Sequence, residues 1–307
     1  MNNNFDLLII GGGAAAMSAS IYASRYELTN TIVSNVYGGT TSEAHLISNY
    51  PGFKEISGND LMGKMTDHAQ SLGAKIMLDE VITVTGSIGA WQAQTKNSQS
   101  LTAKAILFCS GTSHKHLGLP AEARLSGKGV SYCATCDGPF YKNKTVAVIG
   151  GGNSAVGTAL YLSDIAQKVY LIARGPALKG EPTWLKELPT KTNCEVILNT
   201  NVIDLGGEVK LEKLILDKAY QDKTELAVDG LFVEVGLAPR SELFKTMGGE
   251  IDDQGYIKVD PEMNTNLPGV WAAGDVSDAS AKFRQIVTAT AEGAIAADSV
   301  YRKIKRT

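Results

Sequence analysis

Cys133-Ala134-Thr135-Cys136-Asp137 is the stretch of this 307-residue chain with the clearest capacity for chemistry. Two cysteines spaced C-x-x-C can close a small disulfide ring, and in an intracellular chain such a pair is more often a working redox couple than a permanent staple. The acid after the second cysteine can supply or take the proton that a thiolate leaving group needs at each turnover. Upstream, His114-Lys115-His116 offers a rival reading as a two-Cys, two-His zinc site. Its spacing, about 16 residues before the cysteine pair, is not a common finger spacing, so no metal is expected. Of the four cysteines, Cys109 in an apolar run and Cys194 in a strand-like run read as inert core thiols. His68 reads as a surface or interface histidine.

A redox pair needs electrons, and the elements on either side of it point to nucleotide cofactors. Phe5 to Ile10 reads as a buried parallel strand, and Gly11-Gly12-Gly13-Ala14-Ala15-Ala16 turns it into a helix. Gly11, Gly13 and Ala16 match G-x-G-x-x-G/A. The first glycine makes the turn and the second lets a pyrophosphate approach the backbone. The third small residue lets helix pack on strand, with the helix N-terminus facing the phosphates. Thr145 to Ile149 and the following Gly150, Gly152, Asn153, Ser154 and Ala155 repeat the pattern. One match is weak evidence, but two, each between strand and helix and about 140 residues apart, imply two dinucleotide-binding folds. The expected class is α/β, with two Rossmann-like three-layer domains, the second inserted in the first: 1–116 with 243–307, and 117–242.

Which nucleotide each fold takes is read from the residues beyond its fingerprint. In the first, the strand Asn30 to Val33 ends at Ser34-Asn35, where an acidic ribose ligand would be usual, so a simple NAD site is disfavoured. Gly38-Gly39-Thr40-Thr41 and Asn49-Tyr50-Pro51-Gly52 are loops that could line a flavin, with Asn49 offering hydrogen bonds to a polar ring. A helix is expected from Leu61 to Leu72, and a small antiparallel sheet between Ala74 and Ala105. The strand from Ile106 closes at Gly111-Thr112. Gly269 to Val276 is an apolar strand ending in Gly274-Asp275, where a ribityl hydroxyl or phosphate could be bound; a helix-capping Asp is the plainer alternative. Arg284-Gln285 opens the last helix, Ile286 to Tyr301.

In the second fold a 2'-phosphate would be held by guanidinium forks just past the second strand. The stretch there is Ala173-Arg174-Gly175-Pro176-Ala177-Leu178-Lys179, so only Arg174 is well placed, with Lys179 as a helper, and no acid is present for an NADH ribose. Gly150, Gly152, Asn153, Ser154, Ala155 and Arg174 therefore outline a possible nicotinamide-nucleotide site, and NADPH use is left open.

Composition excludes other classes. Apolar residues make up 44% and charged residues 20% of the chain, with a net charge of -3, which suits a large buried core but no electrostatic grip on nucleic acid or membrane. Phe5 to Ile10 is too short to span a bilayer and lacks a signal peptide's flanks, so a cytoplasmic protein is expected.

These motifs, in this order, resemble the low-molecular-weight thioredoxin reductases over essentially the whole length. They are Gly11-x-Gly13-x-x-Ala16, Gly38-Gly39, Asn49-Tyr50-Pro51-Gly52, Cys133-Ala134-Thr135-Cys136-Asp137-Gly138, Gly150-x-Gly152-Asn153-Ser154-Ala155, Gly274-Asp275 and Arg284-Gln285. The resemblance implies FAD in the domain built from both chain ends, held by Gly11, Gly13, Ala16, Gly38, Gly39, Thr40, Asn49, Gly111, Gly274, Asp275, Arg284 and Gln285. It implies a homodimer, Cys136 facing the flavin, Cys133 attacking a thioredoxin disulfide, and Asp137 as the acid. A swing of the middle domain, hinged near Leu117 to Leu119 and Arg240 to Leu243, would gate the two half-reactions.

The departures bear on the donor. NADPH-using members carry His-Arg-Arg-x-x-x-Arg where this chain has Ala173-Arg174-Gly175-x-x-x-Lys179, and an acid where it has Gly157. Related reductases take electrons from reduced ferredoxin or a deazaflavin, and some relatives act as dithiol oxidases. The expectation is a FAD-dependent reductase of thioredoxin whose donor is ferredoxin or another reductant. An NAD(P)H-dependent reductase, a flavin dithiol oxidase and a non-enzymatic flavin redox sensor are the alternatives.

Overall fold

The computed structural model describes residues 3–305. The chain forms two compact units, one running to Ser113 and resuming at Ala238, the other His114–Leu237. The crossings lie at 113/114 and 237/238, a few residues before the positions expected from the sequence. The strands that carry them, Thr112–His114 and Leu237–Pro239, pair with each other.

The first unit is built on a seven-stranded sheet. Asn4–Ile10 lies at its centre, parallel to Asn30–Ser34 on one side and Ser100–Phe108 on the other. Its apolar run is buried on both faces: Leu7 and Ile9 enter one core, Leu8 and Ile10 the other, as expected for a parallel strand covered on both sides. The small antiparallel sheet expected between 74 and 105 is not separate. Lys75–Leu78 instead pairs parallel with Asn30–Ser34.

Ser100–Phe108 is a single strand with two neighbours along one edge. Its first half, where buried and exposed residues alternate, pairs antiparallel with Trp91–Thr95. Its second half, buried throughout, pairs parallel with Val270–Ala272. The change of burial pattern inside one strand marks where a sheet wetted on one face becomes a sheet covered on both.

Helix Ala14–Arg25 follows the first fingerprint and meets the last helix, Ile286–Lys305, through small residues. A Cβ on Gly293 would run into the Ala15 carbonyl, so glycine is what permits this approach. The helix expected from Leu61 begins earlier, spanning Gly58–Ser71, because Ser57 caps it: its hydroxyl accepts the Asp60 N–H at 3.1 Å and donates to the Asp60 carboxylate at 2.7 Å.

The second unit repeats the plan with a five-stranded sheet ordered Cys194–Ile197, Lys168–Ile172, Thr145–Ile149, Gly230–Val233, Val130–Ser131, parallel throughout. Helix Asn153–Ser163 follows the second fingerprint, and an antiparallel sheet of Val202–Gly206, Lys213–Tyr220 and Lys223–Ala227 completes the unit.

Candidate active site

In the second unit the edge strand Val130–Ser131 runs directly into the cysteine pair. Cys133 and Cys136 are joined as a disulfide, with Cα atoms 5.3 Å apart, across the short helical segment Ala134–Asp137. The main chain of Cys133 is held on both sides. Its N–H donates to Ser131 Oγ at 3.2 Å, and its carbonyl accepts from Ser131 Oγ at 3.3 Å and from the Asp137 N–H at 3.1 Å. The two sulfurs are not equivalent. Cys133 is half-buried and Cys136 exposed, and Cys133 Sγ accepts the Cys136 N–H at 3.2 Å.

Asp137 sits one residue beyond, half-buried; after burial itself, its charge helps push the Tyr141 phenol up. Gly138 explains why the motif ends as it does. A Cβ there would stand 3.0 Å from the Tyr161 ring and 3.1 Å from Leu162, so the bare backbone lets the turn seat on helix Asn153–Ser163.

The other thiols fall outside this chemistry. Burial pushes the Cys109 thiol far up; Cys194 is half-buried in its strand and also raised by burial. His116 pairs with a neighbouring tyrosine. Its Nδ1 lies 2.7 Å from the Tyr132 phenol oxygen, and that phenol donates to Glu122 at 2.6 Å. Glu122 is buried and also accepts the N–H groups of Leu117 and Gly118 at 2.9 and 2.8 Å. Burial alone would raise its carboxyl, but these donors hold it below the usual range. Sequence reasoning missed this network; its signal was a tyrosine beside the cysteine pair and an acid eleven residues before it.

The second fingerprint has the geometry its glycines imply. Gly150 has φ +147°, and a Cβ there would strike the Glu234 carbonyl. Gly152 caps the helix without a side-chain bond, and the space its Cβ would enter is open. The segment beyond the next strand, however, folds back onto this turn. The Lys179 N–H donates to the Gly151 carbonyl at 2.6 Å, and the Trp184 ring lies 3.1 Å from where a Gly157 Cβ would be. Arg174 and Lys179 are both exposed. Trp184 is a second residue that sequence reasoning missed; the clue was a glycine at 157 inside a helix.

In the first unit some of the predicted residues from distant parts of the chain come together: Gly39 beside Gly13, Gly274 beside Ala15, and Asn49 with Gln285. Gly11 has φ +116°, and a Cβ would strike the Cys109 carbonyl. Gly13 caps helix Ala14–Arg25 without a side-chain bond and faces open space, while Ala16 is fully buried beneath it. Gly38 and Gly39 both have positive φ, which seats Gly39 beside Gly13, its would-be Cβ 3.4 Å from the Gly13 Cα. Thr40 lies in the turn Gly39–Glu43. Gly111 has φ +62° and open space around it. Asn49 donates to the Gln285 side chain at 3.1 Å across 236 residues of sequence.

Gly274 and Asp275 follow the strand Val270–Ala272. Burial lifts the Asp275 carboxyl to about 6, against the pull of Arg284 and with some help from the Glu292 charge. Arg284 stacks on Tyr256, its guanidinium carbon 3.8 Å from the ring centroid, yet its Nε and Nη2 are buried with no hydrogen-bond acceptor among the described residues. Buried cationic donors left unmatched point to an oxygen-rich group as their partner. Glu292, not anticipated, is buried and accepts the Gly274 N–H at 2.7 Å, Ser280 Oγ at 2.6 Å and Ser277 Oγ at 3.4 Å, bracing the loop that carries Asp275.

A disulfide able to exchange two electrons, carried on one dinucleotide fold and accompanied in the same chain by another with orphaned cationic donors, defines the class of flavoprotein disulfide oxidoreductases. Residues 5–293 match the pyridine nucleotide-disulphide oxidoreductase family, and within it the chain belongs to the low-molecular-weight thioredoxin reductases. It is 37% identical to the thioredoxin reductase of Listeria monocytogenes over 98% of this chain and 94% of that one. The crystal structure of Lactococcus lactis thioredoxin reductase (FR conformation) superposes with a TM-score of 0.93 at 33% identity, covering 99% of this chain and 100% of that one. A ferredoxin-flavin thioredoxin reductase from Clostridium acetobutylicum gives 0.53 at 29% identity, covering 99% of each.

The family implies a flavin, FAD, and the first unit fits one: open space at Gly13 and Gly111, and buried Arg284 donors with no acceptor among the described residues. Among the described residues no helix is long and apolar enough to cross a membrane.

Proposed function

We propose that this chain is a FAD-dependent reductase of the disulfide of a thioredoxin-like protein, and that its electrons come from a protein reductant such as reduced ferredoxin and not from NADPH. The observation that carries the donor assignment is the state of the second fingerprint. One exposed arginine, Arg174, stands where a 2'-phosphate needs a cluster, and Lys179 and Trp184 are folded onto the turn and its helix. Each missing charge-assisted bond to a 2'-phosphate lowers affinity by about tenfold or more.

FAD held in the first unit would supply the two-electron chemistry that links the donor to the disulfide. Gly11, Gly13 and Ala16 would admit its pyrophosphate, Asp275 its ribityl hydroxyls and Arg284 its oxygens. Asn49 and Gln285 are already paired to each other as a polar surface for the ring. The chemistry of the second unit is that of its two sulfurs. Reduction breaks the Cys133–Cys136 bond and leaves a dithiol. The Cys133 thiolate attacks one sulfur of the partner's disulfide, forming a mixed disulfide and expelling the partner's other sulfur as a thiolate, which takes up a proton. Cys136, deprotonated, attacks Cys133 Sγ, closing the internal disulfide and releasing the partner's second sulfur. Two electrons and two protons pass to the partner. Asp137, the next residue along the chain, would exchange a proton with Cys136. The protein is read as a homodimer.

Anaerobic mixing of the flavin-loaded protein with NADPH, NADH and reduced ferredoxin, monitored by flavin absorbance, tests the assignment. Bleaching by reduced ferredoxin and not by micromolar NADPH is expected; rapid bleaching by micromolar NADPH overturns it. The open helix N-terminus at Gly152 supports an NAD(P)H-dependent reductase as the second reading, and the same experiment separates the two.

A further inference from the structure

We propose that Thr135 is a catalytic residue: its hydroxyl donates to Cys133 Sγ and makes Cys133 the sulfur that carries negative charge when the disulfide opens. The inference rests on the reading of Cys133 and Cys136 as a working redox couple, and concerns what sets its polarity.

Thr135 Oγ1 lies 3.3 Å from Cys133 Sγ. A disulfide sulfur has no proton to give, so the hydroxyl is the donor. The Cys136 N–H reaches the same sulfur at 3.2 Å. Two donors therefore converge on Cys133 Sγ, one from a peptide group and one from a side chain, and both come from the short stretch that closes the ring. A C-x-x-C ring supplies the peptide N–H whatever stands between the cysteines. The hydroxyl comes only from a serine or threonine at 135. The bonds from Ser131 and Asp137 to the Cys133 main chain hold that sulfur in place beneath both donors.

A hydrogen bond to a disulfide sulfur is weak, whereas one to a thiolate is charge-assisted, so the Thr135 donor strengthens as the S–S bond breaks. The electron pair of that bond is then best accommodated on Cys133, which makes Cys133 the better leaving group and leaves Cys136 as the sulfur open to attack. In the next step Cys133, already a thiolate, attacks the partner's disulfide. The partner's expelled sulfur takes up the proton that Cys136 gives up, Cys136 closes the ring, and the partner's second sulfur, released as a thiolate, takes a proton from solvent, so that two electrons and two protons reach the partner.

The test measures Cys133 itself. In flavin-loaded Cys136→Ser protein, iodoacetamide labelling of the Cys133 peptide, quantified by mass spectrometry across pH, reports its thiolate pKa without interference from Cys109 or Cys194. Thr135→Val, which keeps the shape and removes the donor, should shift that profile upward by about one unit. At pH below the pKa this is about tenfold less thiolate, offset by the greater nucleophilicity of a more basic sulfur, for a net slowing of about threefold. Thr135→Ser should restore the parent profile. A Thr135→Val profile superimposable on the parent overturns the proposal. So does a Thr135→Ser profile shifted as far as that of Thr135→Val, which would assign the effect to the methyl group. The redox reading is checked separately: turnover surviving in Cys136→Ser would defeat it, whatever Thr135 does to Cys133.

Discussion

At the scale of single residues, the buried carboxylate Glu122 and the half-buried Asp275 have opposite fates. Glu122 is buried among donors and stays low, whereas Asp275, half-buried, loses enough water, with Glu292 nearby, to rise to about 6. The Asp275 proton is thus held more tightly in the folded than in the unfolded protein. Between the unfolded value near 4 and the folded value near 6, the native state binds more protons, so stability falls as pH rises through that window. Asp275→Asn has no such titration. In flavin-free protein its stability should gain on that of wild type by up to about 3 kcal/mol between pH 4 and 6, at about 1.4 kcal/mol per unit, as read by denaturant melts at each pH. A gap that stays constant with pH would show that the carboxyl is not lifted.

At the scale of elements, the decisive contacts are those where a side chain is absent. Gly293 lets helix Ile286–Lys305 cross Ala14–Arg25 at backbone distance, which aligns the loop braced by Glu292 with the first fingerprint. Gly293→Val puts carbon into the Ala15 carbonyl, a backbone atom that cannot step aside. The expected result is a loss of about 3 kcal/mol or more, the scale of severe overpacking, together with weaker flavin retention on gel filtration. Native-like stability with flavin bound would show that the helices can part without consequence. Gly157 and Trp184 make a similar pair in the second unit: the indole lies where a longer residue at 157 would project.

At the scale of the whole molecule, each unit has its own apolar cores. Leu7, Ile9, Trp271 and Val300 lie in one core of the first unit, and Leu8, Phe108 and Phe244 in its other. Leu214 and Leu231 belong to one core of the second unit, and Val146, Leu160 and Phe232 to its other. Two units with cores of their own, joined by two crossings, should unfold as two transitions. In the proposed function FAD is held by residues of the first unit alone, so added FAD should raise only the first unit's transition. The shift should be about 2.7 kcal/mol when free FAD is a hundredfold above its Kd. Scanning calorimetry with and without FAD checks this; equal shifts of both transitions, or a single one, would refute it.

Much of this was legible in the sequence because it depends on neighbours along the chain. A glycine at a strand-to-helix turn, two cysteines three apart and an acid beside them impose their geometry within a few residues, and Gly11, Gly150 and the Cys133–Cys136 disulfide stand in the structure as the spacing implied. What the tertiary structure decided are the contacts between segments far apart. Asn49 pairs with Gln285 across 236 residues, Glu292 braces Gly274 from another element, and Ser100–Phe108 changes neighbours halfway along one edge. Trp184 settles on Gly157. Local patterns of glycine and apolar residues set each turn and strand. Which strand an edge accepts, which carboxylate loses its water and which sulfur receives two donors depend on packing, which exists only once the chain has closed on itself.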